Sequence, residues 1–123
     1  MAVSEKSFNS VRIAVAAAYR LKATNIQAFD VSNMLRKDIM LVIIVPNEDQ
    51  VSAVSDEIEK YLYVKENKRK PIPEETSKLS QWFSLDYGDF VVYVVCEDAI
   101  PVYRLDNLWN GLPCIDLRLP RHA

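Results

Sequence analysis

The feature that most constrains the fold is an uninterrupted apolar run of seven residues, Ile39–Val45. Branched side chains dominate the run, and it holds no polar residue that would face water. Such a composition is typical of a strand that is buried on both faces. Pro46 follows at once and ends the predicted strand.

A well-capped amphipathic helix is predicted directly after this strand. Asn47 is suited to cap its N-terminus, and Gln50, three residues on, completes a pair that resembles a capping box. Glu48 and Asp49 suit the positive end of the helix dipole. The apolar residues that mark its buried face are Val51, Val54, Ile58, Tyr61 and Leu62. A buried strand followed by such a helix predicts an α/β layer structure.

The remaining elements are predicted from periodicity and turn residues. A first helix is predicted over residues 8–22, with one apolar face formed by Phe8, Val11, Val15, Ala18 and Tyr19. Strands are predicted over residues 26–31, 81–86, 90–95 and 114–117, and a short helix begins near Glu97 and Asp98 with Pro101 in its first turn. Tyr87-Gly88-Asp89 is a hairpin signal, and the apolar strand after it is expected to be central. Pro71 and Pro73 follow residues 65–70, so only an edge strand is expected in this part of the chain.

Length and composition favour one cytoplasmic domain over residues 1–123. About half of the residues are apolar, and the formal net charge of −2 gives no general attraction to nucleic acid. The chain has only two glycines, which argues against a glycine-rich phosphate loop. The first residues show no signal-peptide core, and no apolar run reaches the roughly 18 residues of a membrane span.

Residues for catalysis or metal binding do not form a recognisable set. The single histidine, His122, lies in the C-terminal tail, so a Ser–His or Cys–His pair is not expected. Cys96 and Cys114 lack the further ligands that zinc needs, and we interpret them as reduced thiols. Asp86 and Asp89 flank a tight turn and are either metal ligands or, more commonly, turn formers. We therefore predict no enzyme, no cofactor and no metal.

Aromatic and acidic residues are concentrated in the last third of the chain. The aromatic residues include Trp82, Phe83, Tyr87, Tyr103 and Trp109, and the acids among them include Asp86, Asp89, Glu97, Asp98 and Asp106. Aromatic anchors with acidic neighbours are suited to docking on a basic protein, although both tryptophans are also suited to the core. The basic cluster at residues 65–70 has two interpretations, a phosphate contact or a solvated helix end.

Two stretches resemble signatures of the ribosomal silencing factor family, also called Iojap-like or RsfS. Trp82 to Tyr93 resembles the family pattern of a tryptophan followed by Asp-Tyr-Gly-Asp and a valine-rich strand, and Tyr103 to Trp109 resembles Tyr-x-Leu-x-x-Leu-Trp. Residues 47–51 are similar to Asn-x-Arg-Gln-Val, residues 29–32 to the first-strand motif, and Asp38 to the aspartate before the second strand. The likeness covers roughly residues 10–117, which leaves 118–123 as a tail.

The resemblance implies a fold, a partner and a binding site. The fold is a mixed sheet flanked by helices, like that of nucleotidyltransferases but without their catalytic residues. The partner is ribosomal protein fourteen of the large ribosomal subunit (uL14); a bound factor blocks joining of the small subunit and represses translation. Homodimers are common in the family. The partner-binding residues that it implies here are Trp82, Leu85, Asp86, Tyr87, Gly88, Asp89, Tyr103, Leu108 and Trp109.

Some positions depart from the family pattern, and two alternative functions are compatible with the sequence. Asp49 stands where the family has arginine, Tyr93 where it has histidine, and Thr76 and Ser80 where it has glycine. A nucleotidyltransferase-like enzyme or nucleotide-binding protein is the first alternative, and it rests on the fold relation alone. An RNA-binding module that uses residues 65–70 is the second.

Overall fold

The computed structural model describes residues 5–32, 37–66, 82–104, 107 and 109–115. Three helices and four strands lie in this part of the chain. They are α1 (Glu5–Arg20), β1 (Asn25–Asp30), β2 (Ile39–Val45), α2 (Glu48–Glu66), β3 (Trp82–Asp86), β4 (Phe90–Cys96) and α3 (Ala99–Tyr103). Each of them overlaps an element predicted from the sequence.

The four strands form one mixed sheet in the order β1-β2-β4-β3. The central strands β2 and β4 run parallel, whereas β1 and β3 pair with them antiparallel at the two sides. The two strands with uninterrupted apolar sequences are therefore the two in the middle, as predicted. The predicted α/β class with a mixed sheet is confirmed.

The helices α1 and α2 pack against each other and against the sheet. Residues paired across neighbouring strands share a face, so Leu41 lies beside Val92 and Ile43 beside Val94. All four side chains are inaccessible to solvent. The opposite face is also buried at its centre, at Val42 and Val95, but keeps partly exposed side chains around them. We therefore assign the helix layer to the face of Leu41 and Val92.

One residue that was predicted to lie on the buried face of α1 is exposed instead. Tyr19 is 56% exposed, although Val11 and Val15 on the same helix are fully buried. The buried stripe also includes Ser7 and Ala14, which shifts its centre away from Tyr19. The prediction of a core position for Tyr19 was wrong.

The start of α2 confirms one half of the predicted capping chemistry and corrects the other. The Gln50 backbone N–H donates to Asn47 Oδ1 at 3.1 Å, so Asn47 is the N-cap. The Gln50 side chain does not complete a capping box. Its Nε2 donates to the Leu21 carbonyl oxygen at 2.9 Å, because the end of α1 leaves carbonyls without helical partners.

Residues 113–115 run along the outer side of β1. The Asp30 N–H donates to the Pro113 carbonyl, the Ile115 N–H donates to the Ala28 carbonyl, and Cys114 forms an isolated bridge with Phe29. The strand predicted over 114–117 is thus a single bridge within the described residues, since 116 and 117 lie outside them.

Several predictions fall on residues outside the described part. These are the proline-limited edge strand at 71–73, the basic residues 67–70, and the tail with His122. The division into a core and a tail also stays a prediction. Across the described ranges, no helix is both long enough and apolar enough to cross a membrane.

Candidate docking surface

The turn between β3 and β4 has a defined backbone and confirms the predicted hairpin. The Tyr87 N–H donates to the Phe90 carbonyl at 3.0 Å and closes the turn. Gly88 has φ +93°, a backbone conformation that is strained for any residue with a side chain. The geometry of the turn therefore requires glycine there. The Gly88 N–H donates to Asp86 Oδ1 at 2.9 Å. Asp86 is therefore the residue that shapes the turn.

The Asp86 carboxylate is held by a lysine from another part of the chain. Lys37 Nζ donates to Asp86 Oδ1 at 2.8 Å, and the two side chains are 23% and 18% exposed. Burial raises the pKa of Asp86, but the hydrogen bonds from Lys37 and Gly88 and the lysine charge outweigh it, and the pKa is lowered. Asp86 thus remains a carboxylate at neutral pH.

Asp86 and Asp89, which flank the turn, differ in exposure. Asp89 is exposed, whereas Asp86 is partly buried in its contacts with Lys37 and Gly88. Within the described residues there is no group of three or more His, Cys, Asp or Glu side chains that would hold a metal ion. The turn-forming interpretation of Asp86 is confirmed.

Tyr87 packs under the turn. Its ring stacks on Phe90 with a centroid distance of 5.1 Å and an interplanar angle of 20°. The hydroxyl is buried and has no hydrogen-bond partner among the described residues. Burial first, and then the charge of Glu59, raise the pKa of Tyr87, so the phenol stays neutral. Tyr87 therefore contributes to packing beneath the turn through its ring stack on Phe90.

On the sheet face opposite α1 and α2, Val42 and Val95 are fully buried, but side chains around them are partly exposed. Trp82 lies across from Val95, which pairs in turn with Ile44, and Ser84 lies across from Tyr93. Trp82, Ser84, Tyr93 and Ile44 are all partly buried, and we call these four residues the open face. The open face and the β3–β4 turn (residues 86–90) together make the candidate docking surface.

Sequence reasoning found Trp82 but missed the rest of the open face. The two-residue alternation of β3 would have grouped Ser84 with Trp82. Tyr93 and Ile44 lie in strands that are apolar on both faces, so no alternation marks them. Only the pairing of three strands brings these side chains together.

The other predicted contact residues are distributed differently. Leu85, 4% exposed, points to the helix side of the sheet beside Val92, and Trp109, 9% exposed, belongs to the core. These two residues support the fold and do not form the surface. The side chain of Tyr103, at the end of α3, and the whole of Leu108 lie outside the described residues.

A separate cleft of about 350 Å³ lies at the carboxyl ends of the parallel strands β2 and β4. The residues that line it are Asn47, Glu48, Asp49, Cys96 and Asp98. In α/β sheets this is the usual position of a nucleotide site. Three carboxylates line this cleft without a lysine or arginine among its lining residues, an arrangement that disfavours phosphate groups.

Comparison with known proteins agrees with the resemblance found in the sequence. The family model described as "Ribosomal silencing factor during starvation" (RsfS) matches residues 4–122. A ribosomal silencing factor RsfS from Haemophilus influenzae is 30% identical over 93 residues, which cover 72% of this chain and 86% of the relative.

Two solved structures share the fold. A protein from Chromobacterium violaceum matches with a TM-score of 0.72 and 22% identity, over 94% of this chain and 90% of the other. A protein from Bacillus halodurans matches with a TM-score of 0.72 and 26% identity, over 88% of this chain and 97% of the other.

Proposed function

The chain belongs to the ribosomal silencing factor family, and from this membership we propose that it represses translation by binding the large ribosomal subunit. In this proposal the contact is ribosomal protein uL14, and the bound factor sterically prevents the small subunit from joining. The observation that carries the proposal is the family match, which spans residues 4–122. The site of action is the cytoplasm, and formation of a homodimer stays a prediction.

The open face has the chemistry of a protein-binding surface. Trp82 and Tyr93 are partly exposed on neighbouring strands, and Ile44 adds apolar area beside them. Large aromatic side chains at the centre of an interface commonly supply more than 2 kcal/mol each. The sheet backbone fixes them before binding, so little conformational entropy is lost on docking.

The β3–β4 turn supplies the charged part of the proposed contact. Asp89 is exposed at the end of the turn that precedes β4, beside Gly88, which carries no side chain that would block close approach. Ribosomal proteins lie against RNA phosphates and are therefore rich in Lys and Arg. An exposed carboxylate at the rim is expected to speed association with such a partner.

Steric blocking requires a bound, folded domain and no chemical step. Nucleotides in α/β folds usually bind at the carboxyl ends of the parallel strands, here β2 and β4. The cleft at this position is lined by acidic residues, which disfavour phosphate groups. We therefore propose a regulatory, non-catalytic role and prefer it to the nucleotidyltransferase-like alternative.

The contact with uL14 is tested by reversing one charge at the turn and one away from it. Asp89→Lys should weaken binding to purified uL14 by about tenfold, mainly through slower association, because rim charges act on the encounter. Asp56→Lys makes the same change of charge on the exposed side of α2 and should alter affinity less than twofold. Binding kinetics at two salt concentrations measure both effects.

Each possible result has a separate meaning. If the wild-type chain does not bind uL14 at low salt, the proposed partner is wrong. If the wild type binds and both variants bind equally well, the partner stands and the turn is not part of the contact.

A further inference from the structure

We propose that Lys37 is a positioning residue that holds the β3–β4 turn in its binding shape. This inference rests on the docking function proposed above and deepens it. Lys37 lies 49 residues before Asp86, outside every motif that pointed to the docking surface.

The first observation is a carboxylate oxygen that two donors share. Asp86 Oδ1 accepts from Lys37 Nζ at 2.8 Å and from the Gly88 N–H at 2.9 Å. The same oxygen therefore links the lysine to the residue with the left-handed backbone in the turn. Loss of Lys37 would leave a partly buried carboxylate without its counter-charge, and the carboxylate would then turn toward water.

The second observation is a backbone hydrogen bond to the other end of the turn. The Asp38 N–H donates to the Asp89 carbonyl at 2.7 Å. Asp38 is itself fixed, because its Oδ2 accepts from Ser7 Oγ at 2.9 Å and Ser7 is 1% exposed on α1. Residues 37 and 38 thus contact the turn at both of its ends, at Asp86 and at Asp89.

Binding is expected to depend on the contacts of Lys37 and Asp38 with the turn more than folding does. Ion pairs near the surface contribute only about 0–1 kcal/mol to stability, so the domain should fold without Lys37. A released turn has to be ordered again when the partner binds, and that ordering lowers affinity. Faster dissociation is the expected kinetic sign.

The effect on binding of removing the positive charge of Lys37 distinguishes a positioning role from a purely electrostatic one. Lys37 is a cation close to a surface that we propose meets a basic partner. If its charge alone mattered, Lys37→Met would remove a repulsion and tighten binding. If Lys37 positions the turn, the same substitution weakens binding.

The test measures affinity and rates for uL14 with four variants and one control. Lys37→Met should weaken binding about fivefold, mainly through faster dissociation, and Lys37→Arg should restore most of the loss since arginine also pairs with a carboxylate. Asp86→Asn should weaken binding similarly, and the double variant Lys37→Met/Asp86→Asn should be no weaker than either single change. Lys60→Met, on the exposed side of α2, is the matched control and should bind like the wild type.

A second readout needs no partner. Hydrogen exchange of the Gly88 amide, measured by NMR, should be several-fold faster in Lys37→Met and normal in Lys60→Met, because the Asp86 acceptor is no longer fixed. Unchanged exchange, or affinity equal to or tighter than wild type in Lys37→Met, overturns the inference. Failure of the wild type to bind uL14 contradicts the proposed function instead, and the exchange measurement still decides the role of Lys37.

Discussion

Two neighbouring residues at the end of β3 keep opposite protonation states for different physical reasons. Asp86 has a lowered pKa because Lys37 and the Gly88 amide outweigh the effect of burial. Tyr87 has a raised pKa because of burial and the charge of Glu59. The stability that Asp86 contributes is present above its unfolded pKa of about 4 and is lost as the pH falls through its lower folded pKa. The stability linked to Tyr87 is present below about pH 10 and is lost above it, so the turn should be unchanged between those limits.

The buried Tyr87 hydroxyl leads to a prediction at the residue scale. No described residue hydrogen-bonds to it, and an unsatisfied buried polar group commonly costs about 1–3 kcal/mol. Tyr87→Phe should therefore keep the ring stack on Phe90 and raise the free energy of unfolding, by about 1 kcal/mol in urea denaturation. Tyr63→Phe, at a side chain 63% exposed, should change it by less than about 0.5 kcal/mol. A clear loss of stability in Tyr87→Phe would mean that the hydroxyl has a partner in solution.

The elements follow from local signals, whereas contacts between elements do not. The apolar run of β2, the cap of α2 and the glycine of the hairpin are all local features, and each predicted its element correctly. The Gln50 side chain was misinterpreted because its acceptor, the Leu21 carbonyl, lies 29 residues away, just after the end of α1. A local capping rule has no information about that neighbour.

The N-cap of α2 gives a prediction at the element scale. Asn47→Ala removes the acceptor of the Gln50 N–H, and such a loss typically costs about 1 kcal/mol. For a chain of this size that corresponds to a fall in Tm of about 4 °C, measured by circular dichroism. Ser52→Ala, at an exposed position inside the same helix, should leave Tm unchanged or slightly higher since alanine favours the helix. Equal Tm values for the two variants would contradict the assignment of Asn47 as the cap.

At the scale of the whole molecule, the two faces of the sheet differ in how far their side chains are exposed. One face, with Leu41 and Val92, is sealed under α1 and α2. The other keeps Trp82 and Tyr93 partly exposed beside the turn that ends in Asp89. Partly exposed aromatic side chains beside a shaped turn are suited to docking, and this agrees with membership of the ribosomal silencing factor family.

Much less of the site than of the fold was predictable from the sequence. Trp82, Gly88 and Asp89 were found because they belong to one short motif. The core position of Leu85 depends on which face of the sheet the helices cover, and that of Trp109 depends on where the chain packs after α3. Neither is a local feature of the sequence. The Lys37–Asp86 pair joins residues 49 apart, and only the placement of β2 beside β4 explains it.

The most direct test of the central claim is subunit joining. Purified small and large ribosomal subunits are mixed under joining conditions and separated on a sucrose gradient, with and without a molar excess of the protein. We expect the protein to sediment with the large subunit and the peak of joined ribosomes to fall, whereas folded Trp82→Ala should have a much weaker effect. An unchanged peak of joined ribosomes, with the protein absent from the large-subunit fractions, would contradict it.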